Sequence, residues 1–276
     1  MTFLLQPLAY EFMQRGLLAS VIVGVLCAVM GTYVVLRGMA FLGDAMAHAI
    51  LPGVAIAYLL HGNLLVGALV ASIVIALSIG YFSRQGAIKE DTAIGILFAA
   101  ALALGVALIS SIQTYAVDLS HILFGNVLGV SSLDLLLTAG LGLLILLTVI
   151  LLYKPFLVIS FDPVLDATLR LPAELLRNLM LILLAITIVV SLQTVGVGLA
   201  AAMLVTPAAT AYLLTRRLAS MMIVSAVLGA ISSVVGLYVS YYFNIVSGSA
   251  IVLTSTTFFL LAFLWKRQQS FARKRN

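Results

Sequence analysis

Asp44 and His48 stand four residues apart in Gly43-Asp44-Ala45-Met46-Ala47-His48-Ala49-Ile50-Leu51-Pro52-Gly53, a stretch that is otherwise apolar. On a helix, that spacing sets a carboxylate and an imidazole one turn apart on one face. Ionisable side chains within membrane spans are expensive and mark ion or substrate paths. Pro52 has no N–H, so the carbonyl of His48 loses its helical partner. A carboxylate, an imidazole and a freed carbonyl suit a borderline divalent cation. The competing reading is an Asp–His pair that pins two helices together. Two side chains do not complete a coordination sphere. Water, the His48 carbonyl, Met203, Thr206 or a second copy of the chain could supply the rest.

The elements that carry this pair must be membrane helices. Of 276 residues, 64% are hydrophobic and only 8% charged, and the mean hydropathy is +1.26. A soluble domain averages about 25% charged residues. The chain therefore reads as a single all-α integral membrane domain over residues 1–276, with Cys27 as its one cysteine. That excludes an internal disulfide and any multi-cysteine metal site. The net charge of +5 marks loops and is not a nucleic-acid signal. No cleavable signal peptide is expected at residues 1–16, which lack a basic start and a cleavage site. There is no G-x-x-x-x-G-K-[ST], H-E-x-x-H or G-x-S-x-G pattern, so neither ATP hydrolysis through such a loop nor those hydrolytic chemistries are expected.

Apolar runs predict spans at 17–36, 43–60, 64–82, 93–111, 133–153, 175–192, 195–214, 221–243 and 249–265. The count falls from nine to eight if 43–60 dips into the bilayer without crossing. The apolar but glycine-broken stretch 119–130 reads as interfacial or re-entrant. With nine spans, Arg37, Arg84, Lys89, Lys154, Arg170, Arg177, Arg216, Arg217 and the basic C-terminal cluster share one side, and Arg15 alone lies opposite. The positive-inside rule then places the N-terminus outside and the C-terminus in the cytoplasm.

Two proline-interrupted stretches echo one another: 47–53, with Pro52-Gly53, and 202–208, with Pro207. In the nine-span reading they run in opposite directions, and such pairs can line a transport path. The competing reading is an ordinary pair of tolerated kinks. If the echo holds, Met203 takes the place of His48. Between residues 160 and 172, Asp162 is a good N-cap, Pro163 suits the first helical position and Pro172 follows the end. A short amphipathic cytoplasmic helix over 161–171 follows, either docking a partner or lying on the bilayer. Asp118 and His121 look like outer-surface residues or a docking point for an outer partner.

These motifs give the chain a resemblance. It is similar to the permease subunits of ABC importers for manganese, zinc and iron(II). The resemblance rests on Leu36-Arg37-Gly38-Met39, the Asp44–Gly53 motif, Asp91-Thr92-Ala93-Ile94-Gly95, the 118–126 stretch, Ser160-Phe161-Asp162 and the 203–211 stretch. They run in order along nearly the whole chain. The family's first motif usually has Ser before the His; here the residue is Ala47.

The resemblance implies a fold similar to vitamin B12-type importer permeases without their first span. It implies a homodimer with two cytoplasmic ABC ATPase subunits and an extracytoplasmic metal-binding receptor, in a bacterial cytoplasmic membrane. Asp44 and His48 would contact the transported metal, with Met203 and Thr206 as possible additions. Pro52, Gly53 and Pro207 would form gates or kinks. Phe161, Asp162, Asp166, Leu169 and Arg170 would couple to the ATPase. No cofactor is held permanently, and ATP hydrolysis belongs to a separate chain. Likeness favours manganese, with zinc or iron(II) as the alternatives. An ATP-independent secondary transporter or channel is the rival class, and a metal-dependent membrane enzyme is a weaker one.

Overall fold

The computed structural model describes residues 6–84, 89–111, 127–161 and 172–275. The described chain forms α1 (Glu11–Leu36), α2 (Leu42–Ala49), α3 (Leu51–Leu59), α4 (Leu64–Arg84), α5 (Glu90–Ser110), α6 (Ser132–Leu151), α7 (Tyr153–Phe161), α8 (Ala173–Val195), α9 (Val197–Leu214), α10 (Leu218–Phe243) and α11 (Ser247–Arg275). Eight stretches among the described residues are long and apolar enough to cross a membrane, with α2 and α3 together making one of them. The apolar part of α9, Leu199–Leu214, is shorter. The architecture is the expected polytopic helical bundle.

Helix ends follow local chemistry. Asn63 opens α4 by accepting hydrogen bonds from the N–H groups of Leu65 (2.8 Å) and Val66 (3.4 Å). Ser131 and Asp134 form a reciprocal capping box at the start of α6. The α8–α9 junction is a single residue, Gly196, with φ +82° and ψ 169°. That backbone region is open essentially only to glycine, so two helices meet without a loop. The connection expected after residue 153 begins as a short helix, α7. Burial of Phe156 holds that turn, its ring edge-on to Tyr33 with centroids 5.8 Å apart.

The centre of the bundle is α1, which packs against α6, α8, α9 and α10. Lipid tails are as apolar as leucine, so helices in a bilayer associate through close packing and hydrogen bonds. The α1 sequence supplies both. A Cβ on Gly31 would overlap the Leu204 carbonyl of α9, so only glycine lets these backbones meet. On the α10 side, the Ser233 hydroxyl donates to the Ser20 carbonyl (2.8 Å), and the Ser225 hydroxyl donates to the Ala28 carbonyl (2.8 Å). Outward faces such as Val66, Val70 and Val74 of α4 and Leu136, Leu143 and Ile150 of α6 are exposed and apolar, as a lipid-facing surface requires.

Candidate metal-path site

The span carrying the site is built in two pieces. α2 ends at Ala49, Ile50 stands between the helices, and α3 begins at Leu51 with Pro52 in its first turn. Proline is tolerated at that position because the N–H it lacks would have no helical partner there. The break therefore falls two residues before Pro52, just past the imidazole. The Ile50 N–H turns back toward the His48 carbonyl.

On α2, Asp44 and His48 lie one turn apart as the spacing requires. His48 Nε2 is 3.7 Å from Asp44 Oδ1, and the side chains are 32% and 49% exposed, respectively. At that separation they make no direct hydrogen bond. Metal–nitrogen and metal–oxygen bonds of about 2.1 Å each could bridge the gap. The residues on either side, Ala45, Met46, Ala47 and Ala49, are buried. Two potential ligands thus emerge from an otherwise packed helix onto one open face. Among the described residues, no group of three or more His, Cys, Asp or Glu side chains gathers as a metal site. The described residues of one chain offer this pair and no third such ligand beside it.

α2 packs against α4, α5, α8 and α9. Gly43 faces α9, and a Cβ there would meet Leu204 Cδ2 at 2.9 Å and Ala201 Cα at 3.6 Å. Among these neighbours, α5 holds the stretch from Arg37 to His48 at two points. Glu90, its first residue, pairs with Arg37 through one guanidinium nitrogen, Nη2 donating to both carboxylate oxygens at 2.9 and 3.2 Å. Two turns further on, the Phe98 ring packs at right angles to Phe41 with centroids 5.6 Å apart, and against His48 at 6.1 Å. Burial pushes the Arg37 guanidinium below its ordinary pKa; Glu90 opposes that shift, and nearby Arg177 adds to it.

The other expected residues fall in different places. Met203 is buried, its terminal methyl 3.1 Å from a Cβ placed on Gly24, so it is turned toward α1. The Thr206 carbonyl accepts the Thr210 hydroxyl at 2.8 Å. Pro207 sits inside α9, which continues through it without a break. Gly53 packs face to face with Gly67 of α4, and a Cβ on either would overlap the other's carbonyl. Phe161 ends α7. Asp162, Asp166, Leu169 and Arg170, like Asp118 and His121, lie outside the described residues.

Residues 9–266 match the ABC 3 transport family. The chain belongs to that family. A manganese transport system membrane protein, MntC of Halalkalibacterium halodurans, is 48% identical over 96% of this chain and 90% of its own length. A relative in Haemophilus influenzae, described as a probable iron transport system membrane protein, is 41% identical over 96% and 97%. Among solved structures, PsaBC from Streptococcus pneumoniae in complex with Fab superposes with a TM-score of 0.86 at 40% identity, covering 99% of both chains. As an ABC 3 member the chain is a multi-pass membrane permease and not an enzyme.

The sequence reading did not single out the α5 contacts to α2. Arg37 and Glu90 are 53 residues apart, and no local pattern links them. A signal was nonetheless present: Glu90, Ile94 and Phe98 recur every four residues and so share one face of α5.

Proposed function

We propose that two copies of this chain form the membrane path of an ATP-driven importer of divalent metal ions, with manganese the favoured cargo. The observation that carries this reading is the Asp44–His48 pair, open on one face of a packed, membrane-length helical segment and separated by 3.7 Å. A pair from each of two copies would give four protein ligands around one cation, with water completing the sphere. Such a site binds weakly enough to release its ion, as conduction demands. The imidazole must be neutral at the nitrogen that binds metal, so acid weakens the site.

An extracytoplasmic receptor hands the metal to this path. A separate cytoplasmic ATPase drives alternation through the 161–171 segment, where Phe161, Asp162, Asp166, Leu169 and Arg170 make the coupling contacts. Met203, Thr206 and Pro207 on α9 and the Pro52-Gly53 start of α3 belong to the moving walls of the path. The asymmetry of basic residues supports an N-terminus outside the cell and a cytoplasmic C-terminus.

A carboxylate–imidazole donor set also takes zinc, which the affinity order favours, and one relative's description names iron. The manganese assignment is supported by likeness to the manganese relative. The test is the metal content of cells lacking the chain, grown in limiting metal and complemented with wild type or Asp44→Ala. A manganese deficit rescued by wild type alone is expected. The Asp44 side chain is half exposed, so the variant should still reach the membrane in normal amounts. Full rescue by Asp44→Ala would sink the site assignment, and a zinc or iron deficit would change the cargo.

A further inference from the structure

The imidazole of His48 has two kinds of surroundings. One side is open beside Asp44. On another side lies Phe98 of α5, which is itself set at right angles to Phe41, just before α2, at 5.6 Å. The Phe98 ring lies 6.1 Å from the imidazole at an interplanar angle of 57°. The pair is held at its base. One α5 turn beyond Lys89, Ala93 and Ile94 are buried, and Glu90 fixes Arg37 through two hydrogen bonds. α5 therefore contacts the stretch from Arg37 to His48 at both ends.

We propose that Phe98 is a positioning residue for the cation site: its ring, backed by Phe41, fixes the orientation of the His48 imidazole toward Asp44. The inference rests on the reading of Asp44 and His48 as ligands. The physical reason is rotational. An imidazole half open to its surroundings is free to turn about χ1 and χ2. Its 3.7 Å spacing from the carboxylate is useful only while a ring nitrogen points at the gap. A histidine that binds metal usually has its ring fixed by a hydrogen bond at the other nitrogen. No hydrogen bond to His48 is present among the described residues, so packing against Phe98 takes over that role. Aromatic rings offer broad, stiff contact with few rotatable bonds. Leucine has comparable apolar character but presents no flat face.

The test uses the full-length chain, purified into lipid nanodiscs and titrated with Mn2+ alone. Loss of the free-ion paramagnetic resonance signal reports binding. Four variants are compared with wild type: Phe98→Leu, Phe98→Tyr, Phe41→Leu and Asp44→Ala. Disturbing a group that orients a metal ligand weakens metal affinity by about 10–100-fold. Phe98→Leu should therefore bind about tenfold more weakly, Phe41→Leu less severely so, and Phe98→Tyr within about twofold of wild type. Thermal unfolding of each variant is measured alongside.

Unchanged affinity in Phe98→Leu, with binding abolished in Asp44→Ala, overturns the role of Phe98 and leaves the site standing. Equal weakening in Phe98→Leu and Phe98→Tyr, tracking a loss of stability, overturns it in favour of simple packing. Absence of saturable Mn2+ binding in wild type, or undiminished binding in Asp44→Ala, overturns the site itself and the inference with it.

Discussion

Replacing Glu90 with glutamine keeps the shape of the α1–α5 contact and removes its negative charge. The partners are 20% and 12% exposed, Glu90 and Arg37 respectively, and two hydrogen bonds join them at 2.9 and 3.2 Å. Breaking a buried pair from one side costs about 3–5 kcal/mol, because the remaining charge stays buried and unpaired. Here four features set the balance. Arg37 has a second positive charge nearby in Arg177, and its Nη1 has no hydrogen-bond partner among the described residues, which pushes the cost up. Residual exposure of both side chains and the amide's ability to accept one hydrogen bond pull it down. A loss of about 2–3 kcal/mol follows, just below that range, because the pair is not fully buried.

The assay is a double-mutant cycle in detergent, comparing wild type, Glu90→Gln, Arg37→Met and the paired variant by reversible denaturation. The paired variant should recover stability relative to the sum of the single changes, since it leaves no orphaned charge. A coupling energy above about 1.5 kcal/mol is expected for a contact of this kind. Strict additivity would refute the reasoning, because it would mean the guanidinium is adequately solvated without Glu90.

Other substitutions probe the packing that holds the site. Gly31→Ala places a methyl onto the Leu204 carbonyl, and with backbone on both sides it should destabilise by about 1–3 kcal/mol. Gly95→Ala meets nothing within 4 Å and should be neutral or stabilising by up to about 1 kcal/mol. Thermal unfolding of both in one detergent checks the contrast, and equal effects would refute the packing account. The Cys27 thiol is buried 3.1 Å from the Ser191 hydroxyl. A membrane-permeant maleimide should leave the native protein unlabelled and react once it is denatured. Rapid labelling in native membranes would show that α1 is not the sealed centre of the bundle.

What could be read along the chain was whatever broke a uniform background. Asp44, His48 and Pro52 stood out because almost nothing around them is polar, and the spans stood out by length. The same uniformity hid the inner faces of the helices. A helix in lipid is apolar all round, so its sequence does not separate a core-facing leucine from a lipid-facing one. Gly31 and Gly53 were visible as small residues, but their opposing backbones at Leu204 and Gly67 were not. Likewise Met203 matched His48 in a short sequence echo, yet its side chain is turned toward Gly24. Phe98 carried no polar mark at all, and its relation to His48 comes from packing across 50 residues of chain.

The one-residue joint at Gly196 also has a mechanical meaning. Successive Cα atoms are 3.8 Å apart, so the end of α8 and the start of α9 can never separate by more than about 7.6 Å. A loop of six or eight residues would absorb a shift of α8 as slack. This joint has none to give. Any displacement delivered to the start of α8 at Ala173 must bend that helix, swing it about Gly196 or be passed to α9, whose Ala201 and Leu204 rest against Gly43, one residue before Asp44.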